Sequence, residues 1–144
     1  MATRQGGSDR LVIYVDGAAR HNPGPAGFGY VISDGRGRAI ESRGEFLGEA
    51  TCNVAEYKGM LAAARRAAAL GARTVEFRLD SELVQRQVTG RYRVKAPHLK
   101  PLWAEVKAAL RRIPEWRVVH VPRSANREAD AMANRALDAR GVVT

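Results

Sequence analysis

Residues 11–15 (LVIYV) form a short apolar run rich in β-branched side chains, which predicts a buried central strand ending on Asp16-Gly17. The cluster His21-Asn22-Pro23-Gly24-Pro25 predicts a turn. Residues 27–33 read as a second strand, Asp34-Gly35 as a hairpin turn, and residues 39–47 as a third strand beside the second. Thr51 is placed to cap a helix. Beyond it Val54, Tyr57, Leu61, Ala64 and Ala68 recur at helical spacing, until Gly71 stops the helix. Residues 74–79 predict a fourth strand ending on Asp80, and residues 81–89 a short helix closed by Gly90. Pro97 and Pro101 belong at or before a first helical turn, followed by the stripe Leu99, Leu102, Val106 and Leu110. Residues 116–121 read as a fifth strand. Asn126 is expected to cap a last helix, which Gly141 ends.

The resulting order, βββαβααβα, predicts an α/β fold: a five-stranded mixed sheet flanked by helices, with strands one, four and five parallel. At 144 residues the chain suffices for one domain. We expect it over 10–141, after a flexible lead over 1–9.

Hydrophobic residues make up 45% and charged residues 27%, a globular balance. No stretch approaches the roughly 20 apolar residues of a membrane helix, and the first residues lack a signal peptide's apolar core, so the expected compartment is the cytoplasm. The single cysteine, Cys52, has no internal partner. The formal net charge is +9. An excess of this size favours a polyanionic partner, although a basic solubility surface would give the same number.

Against that basic background, four acidic residues stand at telling places. Asp16 and Asp80 follow apolar strands where the chain leaves the sheet, the end at which open α/β sheets bind ligands. Glu56 and Asp130 lie in the second turns of their helices and can point back toward the same ends. Each alone has an ordinary explanation: a turn former, a solvated helix face, a charge near a helix N-terminus. Four carboxylates around one point repel unless a cation joins them. Magnesium prefers such hard oxygen ligands, and two ions about 4 Å apart can activate water against a phosphodiester.

At these residues the chain resembles type 1 ribonuclease H, in the bacterial and archaeal subgroup without a histidine in the catalytic loop. The likeness rests on four motifs in register: YVDGAARHNPGPAG from Tyr14, TCNVAEY from Thr51, LDSELV from Leu79, and VPRSANREAD from Val121. It implies that Asp16, Glu56, Asp80 and Asp130 form the catalytic and metal-binding quartet for two Mg2+ ions, with Mn2+ a possible substitute. It implies an endonuclease that hydrolyses the RNA strand of an RNA–DNA hybrid, leaving a 5′-phosphate, as a monomer with no obligate protein partner and no membrane. It further implies that Asn22 and Asn53, with the backbone around Gly17, read the RNA minor groove, and that Thr51 holds a phosphate of the DNA strand. Cys52, Ser81, Arg123 and Asn126 complete the substrate-binding set.

Three departures from the best-known relatives change what is expected. Arg123 stands in a short loop where many members carry a histidine; it can hold a phosphate but cannot act as a base near neutral pH. His120 falls in the fifth strand, as a core or edge residue, and His21 and His98 are expected to be exposed. Cys52 replaces a common asparagine and so loses a donor and an acceptor. There is no long basic insertion between the middle helices. Arg91, Arg93, Lys95, His98 and Lys100, with Tyr92 and Trp103, are either a reduced basic track for the DNA strand or a solvated linker. Two other readings stay open: a catalytically weak hybrid-binding module, and another nuclease of the ribonuclease H-like superfamily.

Overall fold

The computed structural model describes residues 9–144. The lead expected over 1–9 therefore lies outside the described residues except for Asp9, whose carbonyl accepts the Arg73 N–H at 2.9 Å. Strands β1 (Arg10–Ala19), β2 (Gly24–Asp34) and β3 (Ala39–Ala50) form an antiparallel meander. Helix α1 (Cys52–Ala69) leads to β4 (Thr74–Leu79), α2 (Glu82–Val88), α3 (Lys100–Leu110) and β5 (Glu115–His120). A 3-10 turn (Arg123–Ala125) then enters α4 (Arg127–Ala139), and β6 (Val142–Val143) follows. The sheet order is β5-β4-β1-β2-β3-β6, with β1, β4 and β5 parallel as expected.

Three expectations need correction. Among the described residues the sheet has six strands rather than five: β6 pairs with Gly44 and Glu45 of β3, so the sheet runs past residue 141. Two residues carry no periodicity, which is why the sequence pattern does not reveal them. The last helix also turns on Arg140, not Gly141: Arg140 takes the left-handed φ of 52° and its guanidinium lies over Phe46, 5.1 Å from the ring centroid. Strands β2 and β3 each run three residues further at the turn-rich end than their apolar runs imply, because Gly24 and Pro25 pair with Ala50 and Glu49.

The core lies mainly between the sheet and α1. Leu11, Ile13 and Val15 of β1, Phe28, Tyr30 and Ile32 of β2, and Val75, Phe77 and Leu79 of β4 meet Tyr57, Met60, Ala63, Ala64 and Ala67. Burial of alternate strand residues against one helical stripe is the pattern the sequence encodes. Helix α4 covers the other face over β2 and β3.

Its approach is unusually close. A Cβ on Gly29 would sit 2.3 Å from the Ala129 carbonyl oxygen, and one on Gly44 would sit 2.2 Å from that of Met132. Asp16, Gly29 and Gly44 occupy one row across three strands. The glycines let the helix backbone rest on the sheet in the row that contains Asp16, and this brings Asp130 to it.

Candidate active site

The parallel ladder between β1 and β4 ends at the pair Val15 and Leu79. Asp16 is the next residue of β1 and Asp80 the first residue past the end of β4, so the topology sets them side by side. Glu56 arrives from α1. Thr51 Oγ1 caps this helix by accepting the Val54 N–H at 3.2 Å, and Asn22 Oδ1 accepts the Cys52 N–H at 3.0 Å. A Cβ on Gly17 would lie 2.4 Å from the Glu56 backbone nitrogen, so only glycine lets β1 and α1 meet there.

Asp16, Glu56 and Asp80 each offer a carboxylate oxygen within 4.8 Å of the others. The fourth expected member is placed differently. Asp130 is exposed on α4 and lines the same cleft of about 310 Å³, but it is outside the tight cluster. Asn134, one turn on, donates to Asp130 Oδ1 at 3.3 Å. The arrangement is a triad with a fourth carboxylate on its rim.

The triad is electrostatically loaded. Asp16 is 5% exposed and Glu56 7% exposed. Burial pushes Asp16 up to about 10, and the charges of Glu56 and Asp80 add to the effect. Burial pushes Glu56 up to about 8, with Asp80 adding to it, while a hydrogen bond from the Gly17 backbone, a bond from Asp16 and the charge of Arg123 pull it back. Glu56 Oε2 remains buried with no hydrogen-bond partner. A buried anionic oxygen without a donor is expensive, and a cation is the group that satisfies it. The donor set, all carboxylate oxygens, fits a hard divalent metal.

The remaining expected residues divide into cleft and support. Gly17, Cys52 and Arg123 line the cleft, Arg123 from the exposed 3-10 turn. Asn22 is exposed, and Asn53 and Thr51 are half-buried around the start of α1. Ser81 caps α2, accepting the Val84 N–H at 3.3 Å. Asn126 departs from expectation: it makes no side-chain cap and is 1% exposed. Its Nδ2 instead donates to the Val15 carbonyl at 2.8 Å, tying the entry of α4 to the residue before Asp16. That burial removes it from the surface a substrate could touch.

His120 is exposed on edge strand β5, and His21 and His98 are exposed as expected. The basic linker is also exposed, and Tyr92 and Trp103 line a separate groove of about 820 Å³ with Arg91, Arg93 and Lys100. Sequence reading missed the Tyr57 hydroxyl donating to Gln87 Oε1 at 2.5 Å, which joins the helix bearing Glu56 to the one following Asp80. The two residues sit thirty positions apart, and nothing in either motif signals the pairing.

The family described as "Reverse transcriptase-like" matches residues 14–136. The chain is 42% identical over 129 residues to ribonuclease HI of Halobacterium salinarum, covering 90% of this chain and 65% of that protein. The solved structure of RNase H1 from that archaeon superposes with a TM-score of 0.87, at 42% identity, covering 90% of this chain and 98% of the solved one. LC11-RNase H1, solved in complex with an RNA/DNA hybrid, gives a TM-score of 0.86 at 41% identity, covering 90% and 98%.

This chain belongs to the ribonuclease H1 family. It is also 41% identical over 132 residues to the bifunctional protein Rv2228c of Mycobacterium tuberculosis, covering 90% of this chain but 36% of that one. The chain thus spans about two thirds of one of these curated relatives and about a third of the other. Within the ribonuclease H1 frame, Asp16, Glu56 and Asp80 are a cluster of three carboxylates that could hold a metal ion, in a cleft that also holds Arg123 and Asp130. Among the described residues no helix is long and apolar enough to cross a membrane.

Proposed function

We propose that the chain is an endonuclease that hydrolyses the RNA strand of RNA–DNA hybrids and leaves a 5′-phosphate. The observation that carries this reading is the buried, unpartnered Glu56 oxygen, set with Asp16 and Asp80 where a hard cation fits. The relative solved on an RNA/DNA hybrid supports the choice of substrate. Asp16, Glu56 and Asp80 hold two Mg2+ ions, or Mn2+ in their place, and Asp130 joins from the rim. When bound, such a pair of cations supplies a water nucleophile at neutral pH and neutralises the leaving oxygen.

The chain's own residues bind and orient. Arg123, facing the carboxylates across the cleft, holds a phosphate oxygen of the RNA strand by a charge-assisted hydrogen bond. Asn22, Asn53 and the backbone of Gly17 read the shallow minor groove, where the 2′-hydroxyl distinguishes RNA from DNA. Thr51 receives a DNA-strand phosphate at the N-terminus of α1, where free N–H groups and the helix dipole favour an anion. Cys52 and Ser81 border that path. Asn126 contributes by holding β1 to α4. We place this activity in the cytoplasm, in a monomer.

A cleavage assay on hybrid, duplex DNA, duplex RNA and a four-way junction, with Mg2+, tests the proposal. Hybrid alone should be cut, in its RNA strand. Binding to hybrid without cleavage would favour a binding module, and junction cutting would favour another nuclease of the same fold.

A further inference from the structure

Between β3 and the second half of α1 lies a cavity of about 770 Å³ that shares no lining residue with the carboxylate cleft. Ala62, Arg65, Arg66 and Ala69 line it from α1, at the three- and four-residue spacing of one helix face. The alanines stop at a methyl group and leave room between the arginines and the sheet. Glu41 and Arg43 line it from β3, and Tyr30, the partner of Arg43 across the ladder, lines it from β2. Charge in the cavity is unbalanced. Arg66 holds Glu41 by two bonds, Nε to Oε2 at 2.8 Å and Nη2 to Oε1 at 2.9 Å, and so neutralises it. Arg43 reaches Glu45, outside the cavity, at 3.4 Å, a long and solvated pair that contributes little. Arg65 is exposed and, among the described residues, makes no ion pair. Tyr30 is 2% exposed, yet its hydroxyl donates only to Glu41 Oε2, at 3.5 Å, an oxygen that Arg66 already occupies. The charges of Glu41, Arg43 and Arg66 all act on that hydroxyl, so the three surround one point. Burial, with Glu41 adding to it, raises the phenol above its ordinary value of 10, which keeps it a donor at neutral pH.

We propose that this cavity binds a phosphate monoester, held by the guanidinium groups of Arg43 and Arg65 and by the Tyr30 hydroxyl. Two arginines without a full partner match the charge of about −1.5 to −2 that such a group carries near pH 7. Its three terminal oxygens can accept from both arginine forks and from the hydroxyl at once, whereas a carboxylate brings a single charge and two oxygens. The space beyond the arginines admits a nucleoside attached to the phosphate. Because α1 carries Glu56 near its start and these arginines in its second half, the site is independent of the cation site.

The test is calorimetric titration of the protein at low salt in EDTA with adenosine 5′-monophosphate, adenosine, sulfate, and a short single-stranded RNA with and without a 5′-phosphate. The monophosphate should bind and adenosine should not. Arg65→Ala and Arg43→Ala should each weaken the monophosphate about tenfold. Arg123→Ala, which alters the carboxylate cleft, should leave it unchanged. Arg65 is exposed, so Arg65→Ala should fold and cleave hybrid as the wild type does. Affinity for the monophosphate should rise up to about tenfold between about pH 5 and pH 7, as the phosphate takes its second charge. Sulfate, a dianion throughout, should show no such rise, and it also reports any effect of protonating Glu41. Tighter binding of the phosphorylated RNA than of the mononucleotide would make the cavity a receiver of RNA ends, and equal affinity a site for free nucleotides; both support it. The proposal is overturned if adenosine binds as well as its monophosphate, if the monophosphate does not bind, or if only Arg123→Ala weakens it, which would assign the phosphate to the cleft.

Discussion

A carboxylate that faces two other carboxylates contributes little to folding, so its removal separates chemistry from structure. Asp80 is the least buried member of the triad. Asp80→Asn should lower cleavage by about a thousandfold, equivalent to losing several kcal/mol of cation-borne transition-state stabilisation. Hybrid affinity measured without turnover should survive; equal loss of both would make Asp80 structural. Arg123 gives a graded case. A charge-assisted hydrogen bond to phosphate contributes about 1.5–3 kcal/mol, so Arg123→Ala should cost about tenfold to a hundredfold in kcat/KM, and Arg123→Lys less. Full activity in the alanine variant would remove the loop from the mechanism. Asp16 and Asp80 were legible because each interrupts an apolar strand, and two parallel strands bring such interruptions together. Asn126 was not: its local sequence is that of a helix cap, and the carbonyl it binds lies 111 residues away.

Elements place these residues through contacts that no single motif announces. Helix α4 reaches Asp16 because Gly29 has no side chain beneath it. Gly29→Ala would set a Cβ 2.3 Å from a backbone oxygen, so the helix itself must move. Such overpacking costs about 3 kcal/mol, read as a lower urea midpoint at unchanged slope. The shift also carries Asp130 away from the triad, so activity of the folded fraction should fall as well. If the variant kept both stability and activity, the close packing of α4 would not be what positions Asp130. The three parallel strands and the long helices were visible as apolar periodicity. The edge strand Val142–Val143 was not, because its pairing with β3 depends on where α4 ends. The capped start of α1 was legible, since Thr51 acts within three residues of itself. The Tyr57–Gln87 bond was not, since it exists only once α1 and α2 have packed.

The whole molecule sets a basic surface around an acidic cleft. Its +9 charge should make log affinity for hybrid fall linearly with log salt, and a flat response would separate that charge from binding. Inside the cleft the signs reverse. Asp16 and Glu56 have ordinary values of 3.8 and 4.5, and the fold raises them to about 10 and about 8, burial acting first and neighbouring carboxylates second. The metal-free folded state therefore binds protons more readily than the unfolded chain. Their contribution to stability is fully present below the ordinary values and is lost as pH rises through the raised ones. Between about pH 4 and pH 10 the metal-free protein should thus grow less stable from this source. Mg2+ binds the folded state preferentially and should offset the loss at neutral and higher pH, with little effect near pH 4 where protons already occupy the site. Asp16→Asn removes the group with the largest penalty. In EDTA at pH 8 it should melt at a higher temperature than wild type, and Mg2+ should raise its midpoint less. Thermal unfolding of both proteins, with EDTA and with Mg2+ at constant ionic strength, decides the matter. A variant less stable than wild type in EDTA, with both midpoints raised equally by Mg2+, would show that Asp16 is not at the centre of the cation site.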